Sequence, residues 1–186
     1  MTVANKLSLL RIILVPVCML FLMVQAIPLH YVFALIFFII AAVTDIIDGR
    51  IARRSRTVTT FGKFIDPLAD KMLVCSVLIC LITLKAAPAV AVVLVVFREF
   101  AISGLRLMAL QNGKVLAANM WGKTKTFVQM IMISIIIFLL ELCETGLLSP
   151  ASTVLFWCRI GIWASAALTV VSVISYFAQN MDCLRS

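Results

Sequence analysis

Four of the five aspartates in this 186-residue chain fall within one short stretch, as Asp45, Asp48, Asp66 and Asp70. Asp45 and Asp48 are three residues apart, and Asp66 and Asp70 are four apart. On a helix, either spacing places both carboxylates on one face. Four converging carboxylates repel one another and raise each other's pKa unless cations intervene. Hard divalent ions do this, and an oxygen-only donor set favours Mg²⁺, Mn²⁺ or Ca²⁺ over zinc. Two such ions about 4 Å apart would clamp the entering and leaving oxygens of a phosphoryl transfer. The competing reading is a solvated loop in which the acids pair with Arg50, Arg53, Arg54, Arg56, Lys63 and Lys71.

The elements that must position these acids follow from composition. The chain is 64% apolar and 13% charged, whereas a soluble domain is about half apolar. Apolar runs at 12–27, 31–47, 64–84, 86–110, 126–142 and 153–178 are separated by short polar segments. Each approaches the roughly 20 residues that cross a hydrocarbon layer. The expected fold is therefore all-α: a polytopic membrane protein with six transmembrane helices forming a single domain over 1–186. This excludes a soluble enzyme, a disordered chain and a porin-type barrel, whose strands alternate apolar and polar residues. Asp45 and Asp48 fall at the end of the second run. Asp66 and Asp70 open the third, where Pro67 suits a first helical turn beginning at Asp66. A helix hairpin joined through 49–65 would bring the four acids together.

Net charge is +8. In a soluble protein that would suggest nucleic acid; here the positive-inside bias explains it, and no nucleic-acid partner is expected. Basic residues crowd 1–11, 50–71 and 106–125, and Lys85 and Arg159 stand opposite them. Six spans then place both termini and the aspartates on the cytoplasmic side of a bilayer, with Glu141 and Glu144 outside. A signal peptide in the first run is disfavoured because this topology needs that run as a span. Cys18, Cys75, Cys80, Cys143, Cys158 and Cys183 form no CxxC pair and read as small hydrophobes. His30 reads as an interfacial loop residue, and Trp121, Trp157 and Trp163 as interfacial or packing aromatics.

Read in full, the acidic stretch is Asp45-x2-Asp48-Gly49-x2-Ala52-Arg53-x8-Gly62-x3-Asp66-x3-Asp70. It resembles, position for position, the signature of the CDP-alcohol phosphatidyltransferase family. Gly49, Ala52 and Gly62 remove bulk where a nucleotide must approach backbone. The resemblance implies a multi-pass enzyme of the cell (inner) membrane, usually a homodimer, that displaces CMP from a CDP-linked lipid by an alcohol nucleophile. It also implies two divalent metal ions, Mg²⁺ or Mn²⁺. Asp45, Asp48 and Asp66 would be ligands, and Asp70 would be the general base lying near the second metal. Gly49, Arg53 and Thr59 would contact the CDP moiety.

Further likeness narrows the acceptor. Asn5-x2-Ser8-x2-Arg11 is similar to an amino-terminal amphipathic segment in the branch that joins CDP-diacylglycerol to glycerol 3-phosphate, with Ser8 replacing the usual threonine. In that branch the segment is a candidate for binding the nucleotide lipid. Arg98-Glu99-x4-Gly104-Leu105-Arg106 and Gly122-Lys123-x-Lys125-Thr126 resemble the same branch. The residues themselves agree. An arginine well inside an apolar run needs an anion, and arginine forks and lysine charges suit a phosphate dianion. Arg98, Arg106, Lys123 and Lys125 are therefore the candidates for the acceptor phosphate, while a neutral acceptor leaves them unexplained. Gly122-Lys123-Thr124 is not a phosphate-binding P-loop, because Ala117 stands where a glycine is required. The alternatives are a family member with an inositol phosphate, serine or phosphatidylglycerol acceptor, and a cation transporter using the acids as ion ligands.

Overall fold

A computed structural model of the chain describes the backbone of residues 3–55, 60–111 and 120–184, and the side chains of 9–44, 69, 71–105, 124–174 and 176. The described residues form six α-helices: α1 (Val3–Met23), α2 (His30–Ser55), α3 (Thr60–Thr83), α4 (Ala89–Gln111), α5 (Met120–Glu144) and α6 (Ala151–Leu184). All six expected helices are present. Two contain segments long and apolar enough to cross a membrane, Thr124–Glu144 and Ala151–Ile174. The described apolar segments Leu9–Met23, His30–Thr44 and Lys71–Thr83 are shorter.

Among the described residues the main helix contacts close a ring in the order α1, α2, α5, α6, α4, α3 and back to α1. Leu14, Val15, Cys18 and Leu22 of α1 are buried on this core, as are Tyr31, Ala34, Phe38 and Ala41 of α2 and Leu73, Val77, Leu78 and Leu81 of α3. Small residues set the approach between helices, as is usual where lipid supplies no hydrophobic drive. Cys18 Sγ donates to the Ala34 carbonyl across 3.4 Å, and a Cβ added to Gly161 of α6 would collide with the Met132 methyl of α5. Large apolar side chains face outward on every helix, among them Ile13, Ile39, Ile79, Val93, Phe138 and Ile174. A surface apolar all round suits lipid rather than water.

Four expectations change. The amino-terminal segment is not separate from the first span, because α1 runs unbroken from Val3; Leu7, Leu9, Leu10 and Arg11 all favour helix, so nothing ends it there. The hairpin connection is far shorter than 49–65, since α2 continues to Ser55 and α3 begins at Thr60. Polar residues end a hydropathic run, but they do not break the backbone hydrogen bonds of a helix. For the same reason Pro67 is not in a first turn; α3 carries it seven residues in. Moreover, among the described residues α1 packs against both α2 and α3, which meet each other there only over a short stretch.

His30, expected in a loop, is instead the first residue of a helix. It opens α2 just after Leu29, which takes a positive φ of 58°, and it is buried. Its Nδ1 lies 2.9 Å from the Phe21 carbonyl and its Nε2 2.8 Å from Glu144 Oε2. The ring rests on Tyr31 with centroids 4.0 Å apart. This places Glu144 at the α1–α2 turn, on the end of the bundle remote from the aspartates. The cysteines behave as small hydrophobes: Cys18, Cys75, Cys80 and Cys158 are buried, and these and Cys143 are free thiols.

Candidate active site

Asp45 and Asp48 lie on the carboxy-terminal half of α2, and Asp66 and Asp70 on the first half of α3. Their side chains lie outside the described residues, as do those of Asn5, Ser8, Ala52, Arg53, Arg106 and Lys123 and the surroundings of Gly49 and Gly62. Thr59 lies outside them altogether. Among the described residues no three histidine, cysteine or acidic side chains converge on a common point.

What the described side chains do form is a cationic cluster around one carboxylate. Ala69 is buried, and Lys71 follows two residues later on α3. Lys71 Nζ stands 3.9 Å from Glu99 Oε2. Lys125, buried on α5, donates to Glu99 Oε1. Arg98 donates to the same oxygen from Nη1 at 3.3 Å. Adjacent helix residues point in different directions, so this contact depends on the length of the arginine side chain. Arg98 Nη2 also donates to Ser172 Oγ of α6 at 2.6 Å. The site is thus assembled from α3, α4, α5 and α6.

Among the described residues, charge and hydrogen-bond accounting both show a deficit of acceptors. Three cations share one carboxylate, an excess of two positive charges among these groups. Two buried donors, Arg98 Nε and Gln129 Nε2, have no acceptor among the described atoms. Gln129 sits one helical turn from Lys125, on the same face of α5. Buried donors without acceptors are costly, and so is unneutralised buried charge. An anion with several oxygens relieves both, and a phosphate monoester has the charge and acceptor count to do so.

Of the residues expected to hold an anion, Arg98 and Lys125 come together. Arg98 lies nine residues into α4, about 13.5 Å from its start at 1.5 Å per residue. Arg11, a candidate for the nucleotide lipid, is fully buried on α1. Four participants were missed as site residues in the sequence. Lys71 stands in the sequence among several loop cations, and Glu99 only beside Arg98 in a motif. Ser172 and Gln129 carried no assignment. A signal for Ser172 existed: Ser165, Thr169, Ser172 and Tyr176 repeat at helical spacing, and all four are buried polar residues.

Glu99→Gln is expected to cost stability, because it leaves Lys71, Arg98 and Lys125 facing one another without a counter-charge. Removing one partner of a buried ion pair costs 3–5 kcal/mol, and Glu99 keeps some solvent contact, so about 3 kcal/mol is expected. Thermal unfolding of the purified protein in detergent measures it. An unchanged transition would show that the cluster is not held by Glu99.

The chain is similar to known proteins over most of its length. The family model described as CDP-alcohol phosphatidyltransferase matches residues 1–176. The chain is 40% identical over 193 aligned residues to the CDP-diacylglycerol–glycerol-3-phosphate 3-phosphatidyltransferase of Bacillus subtilis, covering 98% of this chain and 96% of that protein. It is 36% identical to the protein of that name from Rickettsia bellii, covering 93% of this chain and 92% of the relative. Against the Mycoplasma pneumoniae protein of the same name identity is 34%, over 81% of this chain and 67% of the relative. With a match that runs through all six helices, the chain belongs to the CDP-alcohol phosphatidyltransferase family.

Proposed function

We propose that the protein is a phosphatidylglycerophosphate synthase, transferring the phosphatidyl group of CDP-diacylglycerol to glycerol 3-phosphate and releasing CMP. The observation that carries the acceptor assignment is the cationic cluster at Glu99 with its two unsatisfied donors. Lys71 of that cluster directly follows Asp70 in α3, so their Cα atoms are about 3.8 Å apart. In this reading a phosphate is held at Lys71, Arg98 and Lys125, with Arg106 and Lys123 nearby in sequence, and the hydroxyl end of glycerol 3-phosphate meets Asp70, which adjoins Lys71 on α3.

Asp70 then takes the hydroxyl proton. The oxygen forms a bond to the lipid-side phosphorus of CDP-diacylglycerol, the bond from that phosphorus to the bridging oxygen breaks, and CMP leaves with the bond's electrons. Gly49, Ala52, Arg53, Thr59 and Gly62 would cradle the CDP moiety, helped by Asn5, Ser8 and Arg11. Asp45, Asp48, Asp66 and Asp70 are an all-carboxylate set fit to hold two divalent ions, Mg²⁺ or Mn²⁺. When bound, the ions supply charge neutralisation at the transferring phosphate. The remaining catalytic effect comes from positioning and from fixed cations rather than covalent chemistry.

The same reading takes all six helices as membrane spans, with the aspartates and both termini cytoplasmic and two copies forming a homodimer. Its support is the distribution of charge in the sequence, together with the structure: Lys71 and Lys125 meet at Glu99, midway along α3, whereas Lys85 and Arg159 meet just beyond the carboxy-terminal end of that helix. The test is CMP release by purified protein from CDP-diacylglycerol with a panel of acceptors. Glycerol 3-phosphate is expected to exceed serine by at least about 100-fold, because buried donors built for a phosphate reject an acceptor that leaves them unpaired, and the panel measures directly whether it also exceeds inositol phosphate and phosphatidylglycerol, which carry phosphate themselves. Release driven by serine and not by glycerol 3-phosphate would assign a different acceptor.

A further inference from the structure

A second cationic site lies at the end of the bundle remote from the aspartates. A cavity of about 550 Å³ opens there between the α3–α4 turn and the first turns of α6. Lys85, Arg159, Phe156, Trp163, Ile82 and Ile160 line it. Arg159 Nε donates to the Lys85 carbonyl at 3.0 Å, which anchors the guanidinium to the turn and leaves both Nη groups without a described acceptor. Lys85 holds a left-handed backbone with φ of 59°, a conformation that costs a side-chain-bearing residue about 1–2 kcal/mol. The turn nevertheless carries a lysine. Among the described residues no carboxylate pairs with either cation. The amino-terminal end of α4, with its partial positive charge, begins next to Pro88 on the same wall.

The rest of the cavity is apolar and faces outward. Phe156 and Trp163 are largely exposed, as suits aromatic rings at a lipid interface. Two cations beside an open apolar groove match the two halves of a phospholipid. We infer that this cavity binds one glycerophospholipid with an anionic headgroup, its phosphate between Lys85 and Arg159 and an acyl chain along Phe156, Ile160 and Trp163. A headgroup bearing an ammonium is disfavoured because the site offers it no carboxylate. This site is separate from the transfer reaction and does not depend on the acceptor assignment.

Native mass spectrometry of the full-length protein, supplied with equimolar phosphatidylglycerol and phosphatidylethanolamine of the same acyl chains, tests the inference. The wild-type protein is expected to retain one more phosphatidylglycerol than a K85Q/R159Q double variant. Its preference for phosphatidylglycerol over phosphatidylethanolamine should be about 10- to 30-fold, the effect of two basic residues at about 1 kcal/mol each. The charge-preserving K85R/R159K variant should keep both the lipid and the preference. Far-UV circular dichroism and gel filtration should match across all three proteins. Equal retention by wild type and K85Q/R159Q overturns the proposal, as does equal retention of the two lipids. Complete displacement of the lipid by millimolar inorganic phosphate would identify a free-phosphate site instead.

Discussion

Asp66→Ala and Asp48→Ala are each expected to reduce CMP release by about 1,000-fold or more, and a chelator should abolish it in the unaltered protein. The magnitude follows from the charge problem at the reacting phosphate. Divalent ions in phosphoryl transfer supply several kcal/mol of transition-state stabilisation, and each 1.36 kcal/mol is a factor of ten in rate. An alanine removes a ligand and leaves the other carboxylates to repel. The signature distinguishing this from simple damage is partial recovery: raising Mg²⁺ or Mn²⁺ should restore part of the activity of Asp48→Ala, and adding metal back should fully reverse chelation. Full turnover in the presence of chelator would end the reading of the aspartates as metal ligands.

Asp70→Asn is expected to lower kcat by 100- to 10,000-fold, the usual contribution of a positioned general base, with much less change in the KM for either substrate. Asparagine keeps the size and one oxygen but does not take up the hydroxyl proton. The pH profile separates the two roles proposed for Asp70. If it is the base, the wild-type rate climbs with pH through one ionisation and that limb disappears in Asp70→Asn. If it serves only as a ligand, the limb persists in the variant and added metal recovers rate. A variant with unchanged kcat and an unchanged limb would assign the base elsewhere.

The six helices were legible because each apolar run is long and bounded by polar residues. Their ends were less so. Hydropathy stops at Asp48 and Arg50, whereas α2 runs to Ser55, since a helix persists wherever its backbone bonds persist. The acidic signature was readable because its eight fixed positions lie within a short segment. The cationic cluster was readable in part: Arg98 and Lys125 stood out as charges in apolar surroundings. Ser172 did not, because serine is common in membrane helices and its partner Arg98 is 74 residues away. Only the closing of the ring, with α6 between α5 and α4, brings them together. His30 was misread for a related reason, since its partners Phe21 and Glu144 come from two other elements.

The last helix has a geometric consequence of its own. With 34 residues, α6 is about 51 Å long, while the oily interior of a bilayer is about 30 Å thick. Even a lean of about 40°, the upper limit seen for such helices, shortens its vertical reach only to about 39 Å. Its apolar run continues to about residue 178, so the excess must emerge in the last turns of the helix, where Gln179, Asn180 and Asp182 stand. A protease site or epitope fused after Leu184 would therefore be held away from the membrane surface, and its cleavage in sealed vesicles of known sidedness would report which way the whole bundle faces.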